Sequence, residues 1–317
     1  MDTNLSVSGF GYAKALIFGE YAVMYGARGV AVALDAKFEL HLNHAHLSGE
    51  HSPDPKNLFD AKDILANWLR PSLVAQIDAD DRLFFDDLNN KYGIGSSAAS
   101  VVAAVQAHAR ACAALSHCAP PDKLLIQAIE AHRALQNGLG SGIDIAASAL
   151  GGVVGAKNCD TAIEVSRLAP HHLPPMGIFT MHRRAATLPF IRAAERVRCD
   201  RKPKKILAQM ADLYEEMYAD IEQASKRRFI ETIPRLLALL RSWGECIDMP
   251  VIPSDFDIVE RLARESGAVV KTAGAGGGDL IIAFAETPAN IHDFAQKLAL
   301  HAISRLPFAI APERDYP

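Results

Sequence analysis

The chain has 317 residues, 50% of them hydrophobic and 22% charged, and carries a formal net charge of −4 at pH 7. This composition excludes a mainly disordered chain, and the slight acidity gives no general reason to expect a nucleic-acid or acidic-membrane partner. The five cysteines form no C-x-x-C pair, and their odd number argues against a secreted disulfide framework. No apolar run nears the roughly 20 residues that span a bilayer, and Met1-Asp2-Thr3-Asn4 lacks the features of a signal peptide, so a cytoplasmic location is expected.

From Leu5 to Leu42 the pattern predicts strands, with apolar runs at Ala15–Phe18 and Val30–Leu34 on either side of Gly19-Glu-Tyr-Ala-Val-Met-Tyr-Gly26. Residues 43–87 are less patterned, with a turn at His51–Pro55 and a short helix predicted over 61–69. Lys91-Tyr-Gly-Ile-Gly-Ser-Ser-Ala-Ala-Ser100 follows. Its two glycines let the backbone approach a ligand, and its serines lead into an alanine-rich helix covering Val101 to Cys112. Such a helix start either binds an anion on its unpaired N–H groups or is simply a turn capped by serine.

A second helix is predicted over Pro121–Gln136, ending at Asn137-Gly138, before a second small-residue loop, Leu139–Ser148, that carries Asp144. Pro170-His-His-Leu-Pro-Pro175 marks a domain boundary, which divides the chain into 1–170 and 171–317. Beyond it come two long amphipathic helices, over 203–228 and 230–247, and a helix capped by Ser254 that runs to Ser266. Strands at Ala268–Thr272 and Leu280–Phe284 flank Gly274-Ala-Gly-Gly-Gly-Asp279, and a helix starts near Pro288. This order predicts helices layered on an antiparallel sheet, hence an α+β fold. No lysine closes a P-loop and no G-x-G-x-x-G sits in a βαβ unit, so neither common nucleotide signature is present.

Three segments together carry a resemblance. Lys14 with Gly19-Glu-Tyr-Ala-Val23, the loop Gly93-Ile-Gly-Ser-Ser-Ala-Ala99, and Lys271 with Gly274-Ala-Gly-Gly-Gly278 resemble, in type and order, the three motifs of the GHMP kinase superfamily. The spelling Gly19-Glu-Tyr-Ala-Val23, the run Ala131–Gln136 before Gly140–Ala146, and Gly276-Gly-Gly-Asp279 are most similar to bacterial phosphomevalonate kinases, with mevalonate kinases next. The chain departs from the pattern at Tyr12-Ala13, where a proline-glycine pair usually precedes the lysine. The resemblance implies a ribosomal-protein-like N-terminal domain and a ferredoxin-like C-terminal domain. It also implies phosphoryl transfer from Mg-ATP to phosphomevalonate, with mevalonate or a non-catalytic nucleotide sensor as alternatives. The expected partners are those small molecules, with no nucleic acid and no membrane, and a homodimer is left open.

The resemblance also assigns candidate residues. Lys91, Gly93, Ile94, Gly95, Ser96, Ser97 and Ala98 would hold ATP, and Asp144 with Lys14 beside it would form the catalytic centre. Ser97 would ligate Mg²⁺ or else only cap its helix, and Glu130 is either a second Mg²⁺ ligand or a solvated helix carboxylate. Glu20, Tyr21, Ser141, Gly142, Thr187, Gly274, Ala275, Gly276 and Gly277 would line the acceptor site, the glycine loop being otherwise a hairpin turn. A phosphorylated acceptor needs extra cations, and Arg183 and Arg184 are either its phosphate ligands or a solvated basic turn, with Lys91, Arg192 and Lys271 as lesser candidates. A lysine beside Asp144 keeps the carboxylate ionised and makes it a weak base.

Overall fold

The structure is a computed structural model that describes residues 6–43, 76–87, 89–115, 123–136, 138, 140–159, 163–181, 187–278 and 280–316. A long hairpin of β1 (Ser6–Phe18) and β2 (Arg28–Asn43), joined through a 3₁₀ turn at Ala22–Tyr25, organises the first half. With β3 (Gln76–Asp80), β4 (Val153–Asn158) and β5 (Ile163–Leu168) it forms an antiparallel sheet ordered β1-β2-β4-β5, β3 pairing with β2. Val30 to Leu34 are all buried, as expected of a strand covered on both faces.

Among the described residues, three α-helices belong to this half: α1 (Ser96–Leu115), α2 (Leu124–Leu135) and α3 (Ile143–Leu150). Ala98, Ala99, Ala103, Ala104 and Ala107 are buried, so the alanine-rich helix has the packing its composition implied. A Cβ at Gly9 or Gly11 would collide with the backbone oxygens of Ala103 and Ala99. Helix backbone therefore lies directly on strand backbone, and only side chains of this size allow it.

The second half holds β6 (Met176–Thr180), α4 (Thr187–Val197), α5 (Arg201–Glu222), α6 (Lys226–Ile247), α7 (Phe256–Glu265), β7 (Ala268–Ala273), β8 (Leu280–Ala285), α8 (Pro288–Ala299) and β9 (Ser304–Arg305). Its antiparallel sheet, ordered β7-β8-β6-β9, fulfils the α+β expectation. Two boundaries differ: the chain breaks at the left-handed Ala224, so α5 ends at Glu222 and α6 starts at Lys226 rather than at Arg228 and Ile230, and α7 begins at Phe256 with Asp255, not Ser254, at its N-cap position. The Phe256 N–H bonds to Pro253 O at 3.1 Å, so a turn takes up Ser254, and the fully buried Phe256 ring fixes where the helix starts. The helix predicted over 61–69 lies outside the described residues.

The halves pack directly on each other. The Tyr214 ring of α5 stacks on Phe18 at 5.4 Å, and one hydrophobic cluster draws residues from both halves. Residues 307–316 then return to the first sheet. Between the pairs Tyr12–Lys37 and Ala13–Leu34 the register slips at Asp35 and Ala36, and just before this slip the returning segment pairs with β2 on the edge away from β1, next to the start of β4. There the Asp35 N–H bonds to Ala309 O at 3.0 Å and the Ala311 N–H to Ala33 O at 3.0 Å. Arg314 lies 3.8 Å over the Phe10 ring, and the Tyr316 hydroxyl donates to Val102 O at 3.0 Å. Among the described residues, no helix is long and apolar enough to cross a membrane.

Candidate active site

The loop before α1 is stitched to β1, since the Lys14 N–H donates to Ile94 O at 2.8 Å. Gly93 and Gly95 hold φ of 78° and 83°, in the left-handed region that favours glycine. A Cβ at Gly95 would lie 2.5 Å from Lys14 Cε, so the lysine stem crosses directly over the loop. Ser96 and Ser97 open α1, whose first N–H groups lack intrahelical partners and carry the positive end of the helix dipole. Ile94 and Ala98 are buried beneath, while Lys91 is exposed at the base of the loop, bridged to Phe85.

The start of α3 brings in the carboxylate. Gly142 stands at its N-cap, Ser141 Oγ accepts from the Ile143 N–H at 3.4 Å, and Asp144 Oδ1 accepts from the Ile145 N–H at 3.0 Å. Between the two helix starts lies His132 of α2, 3% exposed. Its Nδ1 is 3.9 Å from Asp144 Oδ2, and its Nε2 is 3.4 Å from Ser97 Oγ and 3.1 Å from Gln136 Nε2. Burial pushes the Asp144 carboxyl up, but the charges of His132 and Lys14 and the Ile145 N–H outweigh it and hold the group below its ordinary value. The site therefore presents an ionised carboxylate beside a lysine. His132 was passed over in the sequence. The signal was there: Leu124, Ala128 and His132 recur at four-residue spacing and share the buried face of α2. Glu130, two residues earlier and so roughly 200° around the helix, is exposed and faces away from this group.

A cleft opens beside Lys14 and Asp144. It brings Glu20, Tyr21, Ser141, Thr187, Gly274 and Ala275 together in its lining. Leu16, Val23, Met24, Ile143 and Ile191 supply an apolar wall that motif reading did not find, because those positions come from four separate elements. Gly276 and Gly277 turn away and pack on the segment before α7: the Gly277 N–H bonds to Pro250 O at 3.2 Å, and a Cβ at Gly276 would strike Val251. Gly142 backs onto Ile129. Lys271 is fully buried against Glu20, and Arg192 is exposed on α4. Arg183 and Arg184 lie outside the described residues. Among the described residues that line the cleft, Lys14 is the one cation.

No cluster of three His, Cys, Asp or Glu side chains suited to a metal occurs among the described residues. The Ser97 hydroxyl, at the loop and 3.4 Å from a buried imidazole, is an oxygen donor of the kind that a hard cation carried in with a nucleotide would use.

Residues 80–152 match a family model described as GHMP kinases N terminal domain. No curated protein sequence matches the chain. Solved structures share its fold over nearly their whole length. A Lin0012 protein from Listeria innocua superposes with a TM-score of 0.79 at 18% identity, covering 98% of this chain and 99% of that one. Streptococcus pneumoniae phosphomevalonate kinase in complex with phosphomevalonate and AMPPNP gives 0.73 at 14% identity, covering 96% and 99%. L. major mevalonate kinase in complex with R-mevalonate gives 0.69 at 16% identity, covering 98% of each. The chain thus has the two-domain GHMP kinase fold.

Proposed function

We propose that the chain is a small-molecule kinase that transfers the γ-phosphoryl group of ATP to phosphomevalonate. The observation that carries this reading is Lys14, which spans from the glycine loop at Gly95 to the cleft that holds Asp144. Phosphoryl transfer relies mainly on positioning and charge neutralisation, and one cation between a phosphate cradle and an acceptor pocket supplies both. The N–H groups at the start of α1 would receive the nucleotide phosphates. The Ser97 hydroxyl would hold Mg²⁺, as an oxygen donor suited to a hard cation. When bound, the ion neutralises charge on the nucleotide phosphates.

The choice of acceptor follows from Asp144. A carboxyl held low is a poor base, which suits an attacking oxygen that is already anionic, such as that of a phosphate monoester. Asp144 then orients the acceptor and does not need to deprotonate it. The apolar wall of Leu16, Val23, Met24 and Ile191 suits a short branched carbon chain. The presence of one cation among the described lining residues favours a second reading, mevalonate, whose hydroxyl brings no phosphate to neutralise.

A coupled ADP-release assay offering phosphomevalonate, mevalonate, galactose and homoserine separately decides between them. Turnover with phosphomevalonate is expected. Turnover with mevalonate alone would replace the first reading by the second, and ATP binding without turnover on any acceptor would point to a nucleotide sensor.

A further inference from the structure

Glu20 and Lys271 form a charged pair that the transfer chemistry does not use. Lys271 is on β7 with none of its side chain exposed, and Glu20, just past the end of β1, has 1% exposed. The ammonium group donates to the Glu20 carboxylate, to Thr272 O at 2.6 Å and to Leu16 O at 3.4 Å, which uses all three of its N–H bonds. The other carboxylate oxygen faces the Tyr214 hydroxyl at 3.4 Å, which lies 3.1 Å from Glu20 O as well. A lysine so engaged has no donor left for a phosphate.

The next residue makes a second tie. Tyr21 holds φ of 59°, a region costly for a non-glycine residue, and its ring packs on Trp243 at 5.3 Å. Its hydroxyl donates to the backbone oxygen of Ala275 in the glycine loop. Tyr21 and Ala275 both line the acceptor cleft. Residues 20 and 21 belong to the first half of the chain, and 271 and 275 to the second.

We propose that these two ties position the glycine loop over the acceptor cleft. Lys271 and Glu20 fix β7 against the end of β1, and the Tyr21–Ala275 bond sets how far the loop overhangs. An apolar pair would hold the halves together equally well, but the two acceptors contributed by the first half, Leu16 O and the Glu20 carboxylate, are both met by the ammonium group in only one placement of the strand. Glu20 and Lys271 are therefore positioning residues and not acceptor ligands. The inference rests on the acceptor cleft assigned above.

The test uses the full chain with Tyr21→Phe, which keeps the ring on Trp243, and with the double variant Glu20→Leu/Lys271→Met, which removes both charges together. Three readings are taken: thermal midpoint, hydrogen exchange over residues 274–278, and KM for ATP and for the acceptor that the wild type turns over. Tyr21→Phe is expected to melt only about 2–4 °C below the wild type, to exchange about 3–10-fold faster in the loop, as loss of one hydrogen bond implies, and to raise the acceptor KM by a similar factor while the ATP KM stays unchanged. The double variant should show the same split. A raised acceptor KM without faster exchange would mean that Tyr21 touches the acceptor directly, and faster exchange without a KM change would mean a purely structural tie; either overturns the proposal. If the double variant does not fold, Tyr21→Phe decides alone. Absence of turnover by the wild type on every acceptor would defeat the kinase reading, and faster loop exchange would remain as the test of the tie.

Discussion

Two walls meet at Lys14. The wall proposed to face the nucleotide is one contiguous run, residues 91–98, fused to the helix behind it and to β1 by a backbone bond and by strand-to-helix contacts at Gly9 and Gly11 that leave no room for a side chain. The wall proposed to face the acceptor is assembled from β1, the turn after it, α3, α4 and the glycine loop, and it is held across the two halves by a few polar ties. The first wall depends on backbone shape and tolerates little substitution. The second depends on side-chain bonds, so its shape can change without loss of the fold.

Substitutions can break this contrast or sharpen it. Asp144→Asn, at the junction, should lower turnover by about 10²-fold, the loss that misplacing a reacting group brings, while the ATP dissociation constant from calorimetry stays where it was. An equal loss in both would move Asp144 to the nucleotide side. On the acceptor side, Lys271→Met alone leaves Glu20 buried without its partner and should cost about 3–5 kcal/mol in denaturant unfolding. Adding Glu20→Leu should recover most of that loss, and no recovery would show that the pair is not coupled.

On the nucleotide side, Gly95→Ala puts a Cβ at a left-handed position and onto the Lys14 stem. A penalty of about 1–2 kcal/mol corresponds to roughly a tenfold rise in the ATP KM, with a smaller change in the acceptor KM. The smallest effect concerns pH. The Asp144 carboxyl sits below its ordinary 3.8 in the folded chain, so its ionisation stabilises the fold above that pH, and the contribution is lost as the pH falls through the lower folded value. Stability and turnover measured from pH 7 down to 5 should therefore show no step from this group, and a step abolished by Asp144→Asn would contradict the assignment.

The same contrast explains what the sequence made legible. The loop of residues 91–100 stood out because all its parts are neighbours in the chain, although by itself it read equally as a serine-capped turn. The resemblance that three motifs carry together assigned it to ATP and named Lys14 and Asp144. His132 lies 35 residues from Ser97 and looks in isolation like a core histidine, so only the fold shows that it bridges Ser97 and Asp144. The Glu20–Lys271 pair spans 251 residues, and in sequence each member reads as a candidate ligand. Their mutual burial turns two candidate site residues into a joint. The glycine loop divides for a similar reason: Gly274 and Ala275 face the cleft, while the residues after them serve the segment at Val251, a neighbour that no local pattern announces.

The return of residues 307–316 to the first sheet bears on how the chain reaches its native state. The bond from Ala309 to the Asp35 carboxylate closes a loop of 274 residues, and that from Arg314 to Phe10 closes one of 304. Contacts so distant form late, because their closure entropy is met only after most of the chain is ordered. During vectorial synthesis the slipped register at Asp35 and the rings of Phe10 and Tyr12 stay uncovered until almost all of these 317 residues have been made. The β1–β2 hairpin is thus a nascent edge that invites mispairing, and the returning segment is the latch that ends its exposure.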